Sequence, residues 1–356
     1  MSLAVRQAGV GDILQDEDLD ALIVTDLLNI RYLTGFTGSN GVLVVTSSGR
    51  VLLTDARYAA QAGAQVVDTD VVIAGRDLMD RLADVVPRGR AGIEVEHVTV
   101  ARRDRLAERL AGVDLMPTSG LVEGLRVVKD DEELDLIREA ARVADLALGR
   151  LVSEGFGGRT EAATAWALEG WMRDLGAEGT AFDIIVAGGT HGALPHAVPR
   201  AVPIPGDTLV VVDMGARVAG YASDCTRTLA TGTLPPALDE AYAVCLEAQR
   251  AALAACRSGT HSKELDSTAR KVIADAGLGE YFGHGLGHGV GLEIHERPWL
   301  RGEGGEVLRT GMVVTVEPGI YLEGVGGVRI EDLAIITDDG CEVLTRVPTD
   351  LTMTTT

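Results

Sequence analysis

The sequence predicts a two-domain α/β (α+β) chain, a smaller N-terminal α/β domain followed by a larger mixed domain. Three observations carry this. Short β-branched or apolar runs bounded by turn residues recur through residues 1–120, with helix-like segments between them. From Lys129 onward the pattern changes to one long helical face. A length of 356 residues, 46% hydrophobic and 24% charged, is enough for two cores. The boundary is expected between residues 120 and 128, giving domains 1–124 and 125–356.

In the first domain, strands are predicted at 21–24, 42–46, 51–54, 71–74 and 93–95, and helical segments at 56–64 and 77–86. Residues 29–41 and 54–58 stand out, because small and polar residues there surround exposed-looking aromatics together with Arg31 and Arg57. They read either as a surface lining a site or an oligomer contact, or as two ordinary loops. In the second domain Leu134, Ile137, Ala141, Ala144, Leu148 and Leu151 share one helical face. The acidic run 130–133 in front of it suits the positive end of the helix dipole. A Gly-rich break at 155–158 precedes a helix capped by Thr160 and closed near Gly176. Strands then alternate with two more helices, one from Pro235-Pro236 to Gly259 and one from Ser262 to Gly277.

Composition excludes several function classes. The formal net charge of −21 leaves no basic stripe for a nucleic acid and disfavours an anionic membrane surface. No apolar stretch approaches the roughly 18–20 residues needed to span a bilayer. The acidic N-terminus lacks the basic start and apolar run of a signal peptide. Cys225, Cys245, Cys256 and Cys341 are scattered without a CxxC pair and read as buried thiols of a reducing compartment. A cytoplasmic protein is expected.

The chemistry gathers in three places. His284-Gly285-Leu286-Gly287-His288-Gly289-Val290-Gly291-Leu292-Glu293-Ile294-His295-Glu296 holds three of the chain's seven histidines. Its glycines suit neither an ordinary helix nor a strand interior, and imply a close approach to the chain. Residues 209–228 read as a β-hairpin turning at Val218-Ala219, which places Asp213 directly opposite Asp224. Residues 313–336 repeat the pattern around Gly324, with Glu317 facing Glu331. Facing, buried carboxylates need a proton or a cation between them. Four carboxylates with one imidazole form an oxygen-dominated donor set suited to two divalent metal ions. Mn²⁺ is favoured, with Co²⁺, Zn²⁺ or Fe²⁺ as alternatives.

With these residues assembled, the chain resembles the pita-bread metallopeptidases, the family of methionine aminopeptidase, aminopeptidase P and prolidase. The resemblance implies an N-terminal creatinase-like α/β domain ahead of a pita-bread catalytic domain. Asp213 resembles the bidentate ligand of one metal, Asp224 and Glu331 the bridging carboxylates, and His288 and Glu317 the other metal's ligands. Thr226 matches a supporting position behind the ligands. His196, in the run 182–196, resembles the substrate-facing histidine, with His191 the weaker candidate. His295 resembles the histidine that steadies the tetrahedral intermediate, and His284 a nearby pocket residue. Arg329 matches the arginine that supports the acids, and Tyr321 a tyrosine after the Glu-Pro-Gly turn. Glu317 is also the implied proton shuttle to the proline nitrogen.

Residues 35–41 and 54–58 resemble the small bacterial Xaa-Pro peptidases. The resemblance therefore implies cleavage before proline in short peptides by a homodimer. This small-chain pattern leans towards aminopeptidase P, and prolidase, restricted to dipeptides, is the alternative. A dipeptidase needs a cation for the free carboxylate, with Arg31, Arg57, Arg297 and Arg329 as candidates. The remaining alternatives are a hydrolase of another C–N or P–O bond on the same fold and an inactive binding module.

Overall fold

Burial on both faces shapes the first of the two compact units into which the chain divides, Met1–Arg126 and Val127–Thr356. The computed structural model describes residues 3–355. In the first unit a six-stranded sheet runs in the order Asp70–Ala74, Gly49–Asp55, Gly41–Thr46, Ala21–Val24, Gly89–Glu94, Val113–Thr118. Ile23, Val42, Val44 and Leu53 pack with Leu78, Leu82 and Leu106. Their neighbours Leu22, Leu43 and Leu52, pointing the other way, are also fully buried.

The aromatics of 29–41 are not exposed, contrary to the expectation. Residues Leu27–Thr34 form a helix whose N-cap, Asp26, accepts the Asn29 N–H at 3.0 Å, and which ends at Gly35 with φ 79°. This turns Tyr32 and Phe36 inward, to 2% and 1% exposure. Arg57 lies on Asp55 at 2.8 Å, so the 54–58 segment is a short capped turn. Residues Leu78–Asp84 are 3₁₀ rather than α-helix. The helices Leu3–Asp16 and Val100–Arg109 were not expected; Gly9 and Gly11 interrupt the apolar period of the first.

In the second unit, the helix Asp131–Glu154 opens on a capping box between Asp130 and Glu133 and buries the predicted face. Together with Glu161–Asp174 it packs on the sheet ordered Thr352–Met353, Cys225–Thr231, Thr208–Met214, Ile185–Gly188. A second core joins the helices Pro236–Ala255 and Ser262–Asp275 to the sheet ordered Glu296–Leu300, Gly287–Gly289, Val313–Val316, Asp332–Ile336, Cys341–Val343. Each sheet therefore contributes to one acid-bearing hairpin, and each has a helical pair behind it. Three cysteines are buried and Cys341 is half-buried. Among the described residues no helix is long and apolar enough to cross a membrane.

One expectation about these hairpins changes. In the first, Asp213 pairs with Thr226, not with Asp224. The turn falls at Ala219-Gly220, both with positive φ, one position later than expected, which shifts the partner by two. Asp224 then sits just before the strand and is a diagonal neighbour of Asp213 on the same face. The second hairpin keeps the expected register, since Val316 pairs with Asp332 and Gly319 with Arg329, leaving Glu317 opposite Glu331. The glycine-rich run also contains a strand, Gly287–Gly289, paired on both sides. Its glycines admit neighbouring backbone: a Cβ at Gly287 would collide with the Thr315 carbonyl, and one at Gly289 with the Arg297 carbonyl.

Candidate metal centre and active site

Asp213 is the penultimate residue of one strand, Asp224 precedes its neighbour, and Glu331 lies between two ladders of the other hairpin. Their carboxylate oxygens come within 4.8 Å of one another. All three are buried, at 8%, 5% and 2% exposure. Among the described residues Asp213 Oδ1 and Glu331 Oε1 have no hydrogen-bond partner. Buried lone pairs of this kind carry a large desolvation cost unless something positive meets them. The titration behaviour agrees. Burial, followed by repulsion from the neighbouring acids, raises Asp224 and Glu331 well above the ordinary carboxylate range. Burial raises Asp213 too, with the Arg329 charge opposing it.

His288 completes the cage from the strand Gly287–Gly289 of the second sheet. Its Nε2 lies 3.3 Å from Glu317 Oε1 and 3.7 Å from Asp224 Oδ2, and its Nδ1 meets the Gly289 carbonyl at 3.1 Å. The Nδ1 contact leaves Nε2 as the atom turned to the acids. Thr315 Oγ1 links this strand to Glu317, accepting the His288 N–H at 3.1 Å and donating to Glu317 Oε1 at 3.2 Å. Burial pushes Glu317 up, but the His288 hydrogen bond and charge prevail and hold it at about 2. Two buried oxygens without donors, beside an imidazole and a fourth carboxylate, fit divalent metal ions.

A scaffold of donors supports the acids. Thr226 Oγ1 donates to Glu331 Oε2 at 2.8 Å, and Arg329 donates from Nε to Thr226 Oγ1 at 3.1 Å. Arg329 Nη2 reaches Asp213 Oδ2 at 2.6 Å, while Nη1 serves the Pro195 carbonyl at 3.0 Å and the Tyr321 hydroxyl at 2.9 Å. Arg329 therefore spends four of its five N–H donors on this scaffold. Behind it, Arg227 forms a buried pair with Asp332 at 2.7 Å.

A cavity of about 760 Å³ opens over the cage, lined by all five candidate ligands and by His196, His284, His295 and Arg329. His295 packs against His288 with ring centroids 4.4 Å apart, and His284 Nε2 contacts the Tyr321 hydroxyl at 3.0 Å. Burial, with His288 next, lowers the pKa of His295, and burial likewise lowers that of His284. His191 does not line the cavity and is paired with Glu161 at 3.0 Å. Sequence reasoning missed Arg301 and Trp166, which do line it. Neither carries a motif that would have distinguished it.

A cavity floored by buried carboxylates and imidazoles, with donors already spent on orienting them, defines a metal-dependent hydrolase. Family models narrow the class: "Metallopeptidase family M24" matches residues 135–338, and "Creatinase/Prolidase N-terminal domain" matches residues 6–128. The chain belongs to metallopeptidase family M24, as a metallopeptidase with the creatinase/prolidase-type N-terminal domain. It is 40% identical to the uncharacterized peptidase YqhT of Bacillus subtilis over 94% of this chain and 95% of that one. Its fold matches the Xaa-Pro dipeptidase from Bacillus anthracis with a TM-score of 0.95 and 38% identity, over 99% of this chain and 100% of that one. It also matches the X-Pro aminopeptidase from Thermotoga maritima with a TM-score of 0.87 and 36% identity, over 94% and 97% of the two chains.

Proposed function

We propose that this chain is a two-metal peptidase that hydrolyses the bond between an N-terminal residue and a following proline, acting first of all on Xaa-Pro dipeptides. The observation that carries the reading is the cage of buried carboxylates with unpartnered oxygens beneath the cavity. The likeness to an Xaa-Pro dipeptidase along almost the whole chain supports the substrate class. Asp213, Asp224, His288, Glu317 and Glu331 would hold the ions, Mn²⁺ being favoured, and these would polarise the scissile carbonyl and acidify water when bound.

The chain's own residues supply the rest. The substrate's free amine is drawn to the acidic floor. His295, its pKa lowered by burial first and then by His288, stays neutral at working pH and donates one N–H to the developing oxyanion. Glu317 takes a proton from the attacking water and passes it to the proline nitrogen. An amide nitrogen that left without a proton would be a strongly basic anion, so protonation must accompany its departure.

Arg301 supports the dipeptide reading. Of the cations lining the cavity, Arg329 is spent on Asp213, Thr226 and Tyr321, whereas Arg301 rests on the Trp299 ring 5.6 Å away. In this reading Arg301 is the residue that meets the carboxylate beside proline. Arg297 is paired with Glu306 at 3.0 Å instead. Aminopeptidase P activity is the second reading, favoured by the Thermotoga maritima likeness and by a cavity that also runs along Trp166 and Val198. Cytoplasmic residence and a homodimer belong to the same proposal.

The test is hydrolysis of Ala-Pro against Ala-Pro-Ala by Mn²⁺-loaded protein, with Arg301→Ala beside it. A preference for Ala-Pro that Arg301→Ala weakens through KM is expected. A preference for the tripeptide would make the chain an aminopeptidase P. No cleavage of either peptide by metal-loaded protein would overturn the Xaa-Pro assignment.

A further inference from the structure

Glu161 lies in the first turn of the helix Glu161–Asp174 and does not line the cavity, yet it is 1% exposed. A first-turn carboxylate ordinarily faces solvent and favours the helix dipole. Here both oxygens are spent on a single stretch of chain. Glu161 accepts the Gly188 N–H at 3.0 Å and the Arg200 N–H at 2.9 Å, and the Arg200 guanidinium reaches both oxygens at 3.0 and 2.9 Å. His191 Nδ1 adds a contact at 3.0 Å. These partners stand at the start, the interior and the end of residues 188–200, the stretch that carries His196 to the cavity.

The side chains flanking His196 add little to this hold. Leu194 and Val198, on either side of His196, are 56% and 77% exposed, and only the small side chain of Ala197 is buried, against Ile185 and Ala187. Along the backbone, Gly192 lies close against Gly327, the Arg200 carbonyl accepts the Ala162 N–H at 3.0 Å, and Arg329 Nη1 bonds the carbonyl of Pro195, directly before His196. One carboxylate therefore grips both ends of the stretch, and one guanidinium, itself bonded to Asp213, grips its middle. His196 is presented close enough to His295 for the two to interact electrostatically.

We infer that Glu161 is a positioning residue, which fixes the 188–200 stretch so that His196 faces the reacting peptide; its kinetic role rests on the Xaa-Pro reading above. Its charge is secure. Burial pushes its carboxyl up, but the Arg200 hydrogen bond and the N–H groups of Gly188 and Arg200 outweigh burial and hold it at about 2.

The experiment pairs Glu161→Gln with His196→Ala, singly and together, and reads both kinetics and histidine NMR. In Mn²⁺-loaded protein, Glu161→Gln should lower kcat for Ala-Pro by about 10–100-fold, the scale of an orienting partner. KM and metal content should change less than about threefold. In the His196→Ala background the same substitution should add less than about threefold, because the two act through one group. Full multiplication of the two losses, or an unchanged kcat, would overturn the inference. In Zn²⁺-loaded protein the His196 ring resonance, assigned by its loss in His196→Ala, should shift or broaden in Glu161→Gln. A resonance that stays in place overturns the positioning role whether or not the protein cleaves Xaa-Pro. A shift in a protein that cleaves nothing supports positioning and counts against the substrate reading alone. Should Glu161→Gln not fold, Arg200→Ala removes the guanidinium from a side chain that is 45% exposed and should produce the same shift at smaller size.

Discussion

Among the described residues two acid-rich clusters gather ligand atoms within 4.8 Å of one another: Asp213, Asp224 and Glu331 in the second unit, and Asp26, His97 and Glu123 in the first. They differ in what their oxygens already do. Asp26 caps a helix through the Asn29 N–H, and Glu123 accepts the Asn29 side-chain amide at 2.6 Å. The buried neighbour Glu94 receives Asn29 Nδ2 at 2.8 Å and the Asp26 N–H at 2.9 Å. His97 stands 29% exposed, 3.5 Å from Glu123 and 3.8 Å from Asp26. The second-unit acids are deeper, and two of their oxygens meet no donor among the described residues. Crowded carboxylates alone therefore identify no site. Unspent buried lone pairs do, because folding has removed their water without replacing it.

The largest effect should come from breaking the unspent cluster. Asp224→Asn removes one of three mutually repelling buried charges, so the metal-free protein should become more stable. The same substitution should lower Ala-Pro hydrolysis on the order of 10²–10³-fold, the range for deleting a group that stabilises developing charge. Thermal melts with and without Mn²⁺ check it. The wild type should gain about 2.7 kcal/mol at a hundredfold excess over Kd, and the variant much less. An undiminished Mn²⁺ shift in Asp224→Asn would remove the distinction between the clusters.

A smaller loss should follow from slackening the support. Thr226→Val keeps the shape and deletes the donor to Glu331, and should weaken Mn²⁺ binding about 10–100-fold by titration calorimetry. Unchanged affinity would mean that Glu331 is oriented by the backbone alone.

The acids of this cage were legible in the sequence because apolar runs such as Val210-Val211-Val212 before Asp213 announce burial, and burial makes a charge conspicuous. The partner of Asp213 was not legible. The turn at Ala219-Gly220 uses a non-glycine residue at φ 43°, which the local sequence does not advertise. The strand at Gly287–Gly289 was hidden for a related reason, since its glycines answer to Thr315 and Arg297, residues remote along the chain. Glu161 occupies an ordinary first-turn position, and only its long-range partners Gly188, His191 and Arg200 set it apart. Local pattern reveals burial and period; a side chain's partners come from the tertiary fold.

Glu161 also provides an intermediate case, a buried acid whose charge is already answered by Arg200. Its folded pKa, about 2, lies below the ordinary carboxylate value, so its contribution to stability is present above about 4.5 and is lost as pH falls towards about 2. The stability gap between wild type and Glu161→Gln, from urea melts at several pH values, should be widest above about pH 5 and narrow below it. A gap independent of pH would show that the charge itself contributes nothing.

The smallest effect is expected in the first-unit cluster, where it is most informative. His97→Ala deletes the imidazole from a group whose acids retain Asn29 and the backbone N–H groups as partners. Its ion pairs are long and partly exposed, the kind that contribute little in water. Stability should change by no more than about 0.5 kcal/mol, and Mn²⁺ per chain, measured by mass spectrometry, should equal the wild type. Loss of one equivalent on this substitution would mean that satisfied carboxylates can still recruit a cation here. The contrast between spent and unspent oxygens would then no longer separate the two clusters.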